Sequence, residues 1–167
     1  LAAAGTGIRA NADMISDTEA DGDRKCSISI DYKEGADGSI PVEGAVFSAY
    51  KVAAYSDAEG VVPISGIDIN IEADDAEQIC KKAVEYYKAK KDTEAVYTCM
   101  TDASGNAVIS GMEHGIYLIA ETEAAPVHVS SSPFIVQLPY TEHGIWQYDA
   151  KCEPKAVSSG SLKITKT

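Results

Sequence analysis

Strict alternation of apolar and polar residues sets the first limit on what this chain can form. Cys26, Ile28, Ile30 and Tyr32 alternate with Ser27, Ser29 and Asp31, the period of two in which successive side chains of an extended strand point to opposite faces. A strand with one apolar face needs a second layer to cover it, and the rest of the chain offers several candidates. Gly35-Ala36-Asp37-Gly38 reads as a turn, Gly44 precedes a second strand over Ala45 to Tyr55, and Asp57-Ala58-Glu59-Gly60 ends it. Further strands are expected over Ala95 to Met100, Asn106 to Ser110, Gly115 to Glu121, Pro133 to Leu138 and Ile145 to Cys152. In the last of these, Trp146, Tyr148, Ala150 and Cys152 share one face.

The period changes once. Ala76, Ile79, Cys80, Ala83, Val84 and Tyr87 recur at the spacing of one helical stripe. Asp74 is the expected cap, with Glu77 three residues on, and Lys88, Lys90 and Lys91 complement the negative C-terminal end of the dipole. The helix is expected over about residues 74–91. Short strands separated by turns, with one inserted α-helix, predict a mainly β fold: a β-sandwich with Greek-key-like connections.

A chain of 167 residues is long enough for one domain with a real core. Residues 1–12 are small and apolar and end Ala10-Asn11-Ala12, the pattern signal peptidase accepts. Asp13 to Lys25 is acidic and unpatterned. Residues 1–25 are therefore expected to be a signal-peptide remnant and flexible arm, and 26–156 the sandwich. Residues 157–167 then form a linker and the first strand of a truncated following domain, because Leu162-Lys163-Ile164-Thr165 opens a fresh alternation.

A net charge of −12 and a pI near 4.5 repel phosphate backbones and anionic headgroups, which argues against nucleic acid as a partner. No stretch is long or apolar enough for membrane insertion. Catalytic constellations are equally hard to find. His114, His128 and His143 lack paired ligand spacing. Asp102, Ser104 and Asn106 mimic the start of a calcium loop, but the later glycine and acid are missing, so a plain turn is expected. No metal, no cofactor and no enzymatic activity are implied. The cysteines, Cys26, Cys80, Cys99 and Cys152, lack close C-x-x-C spacing. In an exported protein they read as two disulfides, and in a reducing compartment as buried thiols.

Tyr117-Leu118-Ile119-Ala120-Glu121-Thr122, followed by Ala124-Ala125-Pro126, resembles the E-box of the Cna-B-type, Ig-like domains of Gram-positive surface proteins. Gly44-Ala45-Val46-Phe47 resembles the entry to their second strand. Trp146 to Lys155 is similar in spacing to the pilin motif W-x-x-x-V-x-V-Y-P-K, with Ala150 and Cys152 for the valines and Glu153 for the tyrosine. The order of these motifs resembles the N-terminal domain of a sortase-assembled major pilin, the shaft subunit of a cell-wall fimbrium.

That resemblance implies a secreted structural protein in a covalently polymerised, cell wall-attached pilus, with a pilus-specific sortase and neighbouring pilin subunits as partners. Its acceptor would be Lys155, presented by Pro154. A host surface ligand belongs to the alternative reading, a stalk or ligand-binding module of a cell-wall adhesin. Many family members join the first and last strands by a Lys to Asn or Asp isopeptide bond promoted by the E-box glutamate. Here Tyr32 takes the inward position, Lys33 points the other way and Ala156 follows Lys155. No such bond is expected, and Glu121 is left as a buried hydrogen-bonding residue. In its place the resemblance suggests a Cys26 to Cys152 disulfide between those strands and a Cys80 to Cys99 disulfide pinning the helix, with the other two connectivities open.

Overall fold

The computed structural model describes residues 24–35, 38–56, 59–90, 95–126, 128–154 and 157–158. Strand β1 (Cys26–Asp31) alternates buried and half-buried along its length, as its sequence period requires. It is the middle of a three-stranded sheet, between β7 (Asn106–Met112) on one side and β13 (Asp149–Cys152) on the other. The facing five-stranded sheet runs β10 (Phe134–Leu138), β8 (Gly115–Glu123), β4 (Val46–Ser56), β5 (Gly60–Pro63), and β6 (Tyr97–Met100) also pairs β4. Between the sheets lies one core, in which Ile28, Ile30, Tyr32, Phe47, Met112, Tyr117, Ile119 and Leu138 are among the buried side chains. Removing such apolar surface from water is the main force holding two sheets face to face.

Helix α1 (Ala76–Ala89) makes this a three-layer structure. Its buried Ile79 and Ala83 cover the outer face of the five-stranded sheet, against Val52, Ile116, Leu118 and Ile135. Strands covered on both faces need continuous apolar sequence, and both β8 and β10 have it: Ile116, Leu118 and Ile135 face the helix while Tyr117, Ile119, Phe134 and Val136 face the sandwich core. The cap lies one residue beyond the expected Asp74. Asp75 accepts from the Gln78 amide at 2.9 Å, and the Gln78 side chain returns a bond to the Asp75 amide at 3.0 Å, a complete capping box. Asp74 instead accepts from the Asn70 amide and from Lys82 Nζ, both at 2.9 Å.

Small two-stranded ladders finish the molecule: β2 (Lys33–Glu34) with β3 (Ile40–Pro41), β9 (His128–Val129) with β14 (Val157–Ser158), and β11 (Tyr140–Glu142) with β12 (Ile145–Gln147). The strand expected over 145–152 is thus two strands that break at Tyr148, one closing a hairpin and the other joining β1. The inward phase survives the break, with Tyr148, Ala150 and Cys152 buried and Trp146 packed at the core's margin. The Asp102 to Asn106 segment is a turn. One Asp102 carboxylate oxygen accepts from the amides of Ser104 and Asn106, at 2.9 and 3.0 Å. Gly105 has a φ of +77°, and a Cβ there would meet the Tyr32 carbonyl oxygen at 2.4 Å, so no other residue fits without moving β1.

Neither expected disulfide is present; all four cysteines are free. The first fails on strand direction. Cys26 and Cys152 are both buried on the inward face, but β1 and β13 run parallel, with Ile30 opposite Cys152 and Ser27 opposite Asp149. Cys26 therefore lies four positions away from its intended partner, about 13 Å along the strand, whereas a disulfide needs Cα atoms within about 7 Å. The second fails on layering. Cys80 packs on the helix side of the five-stranded sheet and Cys99 on the core side, so the sheet itself separates them.

What joins the two sheets at depth is a hydrogen bond. The Tyr32 hydroxyl, just past β1, donates to Glu121 Oε1 on β8 at 2.6 Å, and the Ser131 amide donates to the same oxygen at 2.7 Å. Burial and the neighbouring carboxylate raise the phenol's pKa well above its ordinary value, which keeps it a donor.

Three outcomes follow from this packing. Tyr32→Phe leaves Glu121 with the Ser131 amide alone on Oε1 and is expected to lower the unfolding free energy by about 1–3 kcal/mol, read from urea titrations; an unchanged midpoint would show that the bond contributes nothing. Intact mass under non-reducing and reducing conditions is expected to be identical, and native alkylation to modify Cys80, in its surface groove, before Cys26 or Cys152, which wait on unfolding. Burial lifts the thiols of Cys26 and Cys152 from 9.0 to about 12 and that of Cys99 to about 11. Unfolded thiols ionise above pH 9 while these resist, so their contribution to stability is full below pH 9 and is lost as pH climbs toward 12. The urea midpoint is expected to fall across that window, and serine at all three positions to flatten the fall.

Candidate functional site

Glu121 and Pro154, two of the residues singled out from sequence, lie at the end of the sandwich where β1 and the parallel β13 finish. With Ile30 opposite Cys152, the two chains leave the sheet side by side, one through Tyr32 and the other through Glu153 and Pro154. Pro154 is buried. Proline lacks a backbone donor and holds φ near −65°, so regular pairing stops there. Lys155, the residue in the acceptor position of the motif, lies outside the described residues, as does Ala156. The chain is described again at Val157 and Ser158, which pair antiparallel with Val129 and His128. Only two residues separate a buried proline from a strand pair.

Around this end lie polar groups that the core encloses. Glu121 is 8% exposed; its Oε1 takes the bonds from Tyr32 and Ser131, while its Oε2 and the Ser131 hydroxyl are buried without a hydrogen-bond partner. Two residues past Tyr32, Glu34 Oε2 lies 3.1 Å from His128 Nε2, with side chains 23% and 11% exposed. His128 Nδ1 is 2.7 Å from the Pro126 carbonyl oxygen. A carbonyl can only accept, so Nδ1 carries the hydrogen; a second hydrogen on Nε2 would make the contact with the carboxylate an ion pair. The approach is not aligned as a hydrogen bond.

The other motif residues have structural places. Tyr117 is fully buried, its hydroxyl donating to the Glu113 carbonyl at 2.8 Å and its ring edge-on to Tyr97. Thr122 Oγ1 lies 2.8 Å from Ser48 Oγ across β4 and β8. Trp146 stands in β12, away from the β13 ladder. Glu121 is a buried acceptor. Ser131 and Glu34 were not singled out from sequence, and His128 was weighed there only as a metal ligand, since nothing in a serine run or an isolated histidine marks which backbone or carboxylate it will meet. His114 is at a different place, its Nε2 2.7 Å from the Arg24 carbonyl oxygen and its ring near Tyr55 and Tyr148.

A groove of about 610 Å³ runs between α1 and β10, floored by Ala76, Cys80, Val84, Pro133, Phe134 and Ile135. Cys80 Sγ lies 3.4 Å from the Pro133 carbonyl oxygen, and burial raises its pKa. No histidine lines the groove, so the nucleophile–base pairing of thiol catalysis is missing from its described walls. Among the described residues there is no group of three or more potential metal ligands, and no helix is long and apolar enough to cross a membrane.

Comparison with known proteins agrees with the geometry. A search of curated protein sequences finds no match. Among solved structures, the chain is similar to the full-length major pilin SpaD of Corynebacterium diphtheriae at 27% identity and a TM-score of 0.59, covering 84% of this chain and 32% of that one. It is also similar in fold to the fimbrial protein FimP of Actinomyces oris, at 20% identity and a TM-score of 0.53, covering 84% of this chain and 31% of that one. The chain thus spans about a third of the length of these pilins. The family model for the Gram-positive pilin subunit D1, N-terminal domain, matches residues 8–156, nearly the whole chain, and this protein belongs to that family.

Proposed function

We propose that this domain is the N-terminal part of a covalently polymerised pilus shaft subunit, a substrate and not a catalyst, and that Lys155 is its acceptor for the next subunit. Membership of the pilin family makes it a pilus subunit. Gram-positive pili are extracellular cell-surface fibres, which agrees with its place outside the cell. The finer assignment rests on the motif order and on one observation: strand β13 ends at Cys152, two residues before a buried Pro154, and the chain is held again at Val157 by β9. A nucleophile in the two intervening residues is tethered from both sides, which lowers the entropic cost of offering it to an enzyme.

The chemistry is aminolysis of a thioester. A pilus sortase holds the carboxyl-terminal threonine of another subunit as a thioacyl on its cysteine. The neutral ε-amine of Lys155 attacks that carbonyl, the C–N bond forms, the C–S bond breaks, and the proton the amine loses passes to the departing sulfur, leaving an amide and the free sortase thiol. The domain contributes no base or oxyanion donor of its own to this reading; it contributes position.

Incubation of the chain with a pilus sortase and a threonine-containing sorting-signal peptide, followed by peptide mass mapping, is expected to place the adduct on Lys155 and nowhere else. Lys155→Arg is expected to abolish it, since a guanidinium is protonated at any working pH. Modification at Lys151, or no adduct at any lysine, would sink the assignment.

A further inference from the structure

We infer that Glu34 and His128 are positioning residues for the acceptor segment: their side-chain contact clamps the β9–β14 ladder to the end of β1 and so holds the chain just downstream of residue 155. The inference rests on the reading of Lys155 above, and it names groups that no motif includes.

Three contacts carry it. First, β14 pairs only with β9 among the described strands, so whatever holds β9 holds the exit of the chain. Second, β9 is a two-residue strand, too short to be placed by its own ladder. His128, its first residue, is fixed on one side by the Pro126 carbonyl at Nδ1 and on the other by Glu34 at Nε2. Third, Glu34 belongs to β2, which follows Tyr32 and therefore continues from the central strand of the three-stranded sheet. The route from core to acceptor segment is thus β1, Tyr32, Glu34, His128, β14.

Burial decides that this pair matters where others do not. Lys25 and Glu113 approach more closely, at 2.7 Å, but their side chains are 55% and 61% exposed, so water and salt screen them. Glu34 and His128 are largely shielded, where a carboxylate and a protonated imidazole would attract more strongly than in water and loss of one polar group leaves the other without its partner. Lys33, the nearest cation in sequence, is engaged by Asp31 and by the Ser104 carbonyl. Because the contact is not an aligned hydrogen bond, removing the carboxylate or the imidazole while keeping size is the informative change.

Glu34→Gln and His128→Gln, with Glu113→Gln as control, would be compared with the natural chain in two measurements. Hydrogen exchange reads the backbone amides of Val157 and Ser158, and is expected to speed up in the two clamp variants and not in the control, with the amides of β1 and β8 unchanged. Sortase assays with the sorting-signal peptide read the partition of the thioacyl enzyme between aminolysis and hydrolysis. Formation of the thioacyl does not involve this domain, so its rate is expected to stay constant while the aminolysis share falls about tenfold. Should a single variant lose the fold, the charge exchange Glu34→Lys with His128→Glu is expected to restore both readouts. Natural partition and natural protection at Val157 and Ser158 in both clamp variants would overturn the inference. Adduct on a lysine other than Lys155 in the unaltered chain would overturn the acceptor assignment instead, and the exchange measurement would still judge the clamp.

Discussion

The parallel pairing of β1 with β13 is the constraint on which the rest depends. It joins residues more than a hundred positions apart; the Ser27 hydroxyl, for example, donates to Asp149 at 2.5 Å. Parallel strands cannot be joined by a hairpin, and they need a long crossover. Here the crossover is nearly the whole domain, which leaves by β2, builds the five-stranded sheet and the helix, and returns through β12. Direction also fixes what meets what. Both strands finish at the same end, which places Tyr32 and Pro154 together and sets Cys26 far from Cys152.

At that end the sandwich is closed by polar contacts rather than by a covalent cross-link between cysteines. Tyr32, Glu121 and Ser131 form a buried network reaching from one sheet to the other. Glu34 and His128 form a second connection further out. Such groups are costly to bury unless satisfied, and two atoms of the inner network, Glu121 Oε2 and Ser131 Oγ, remain without a partner. The apolar core between the sheets and the second core under α1 carry the bulk of the stabilisation, and the polar end supplies register and position.

Much of this was legible in the chain. The alternation of β1, the helical stripe from Ala76, the strand from Gly115 and the turn at Asp102 all follow from periods and local side-chain chemistry that act within a few residues. The motif residues could be ordered and the inward phase of Tyr148, Ala150 and Cys152 assigned for the same reason. Pairings were not legible. The helix cap shifted by one because Asp74 and Asp75 are equally good acceptors, and Asn70 and Lys82 drew the first away. β9 and β14 are too short to carry any period.

The amino-acid sequence by itself determined which strand residues share the inward face and where the helix lies. These depend on side-chain polarity against a fixed backbone repeat. Only the tertiary structure decided that the first and last strands run parallel, that the five-stranded sheet stands between Cys80 and Cys99, and that His128 meets Glu34. Strand direction, layer order and long-range side-chain contacts depend on how distant segments are brought together, and no local pattern encodes that.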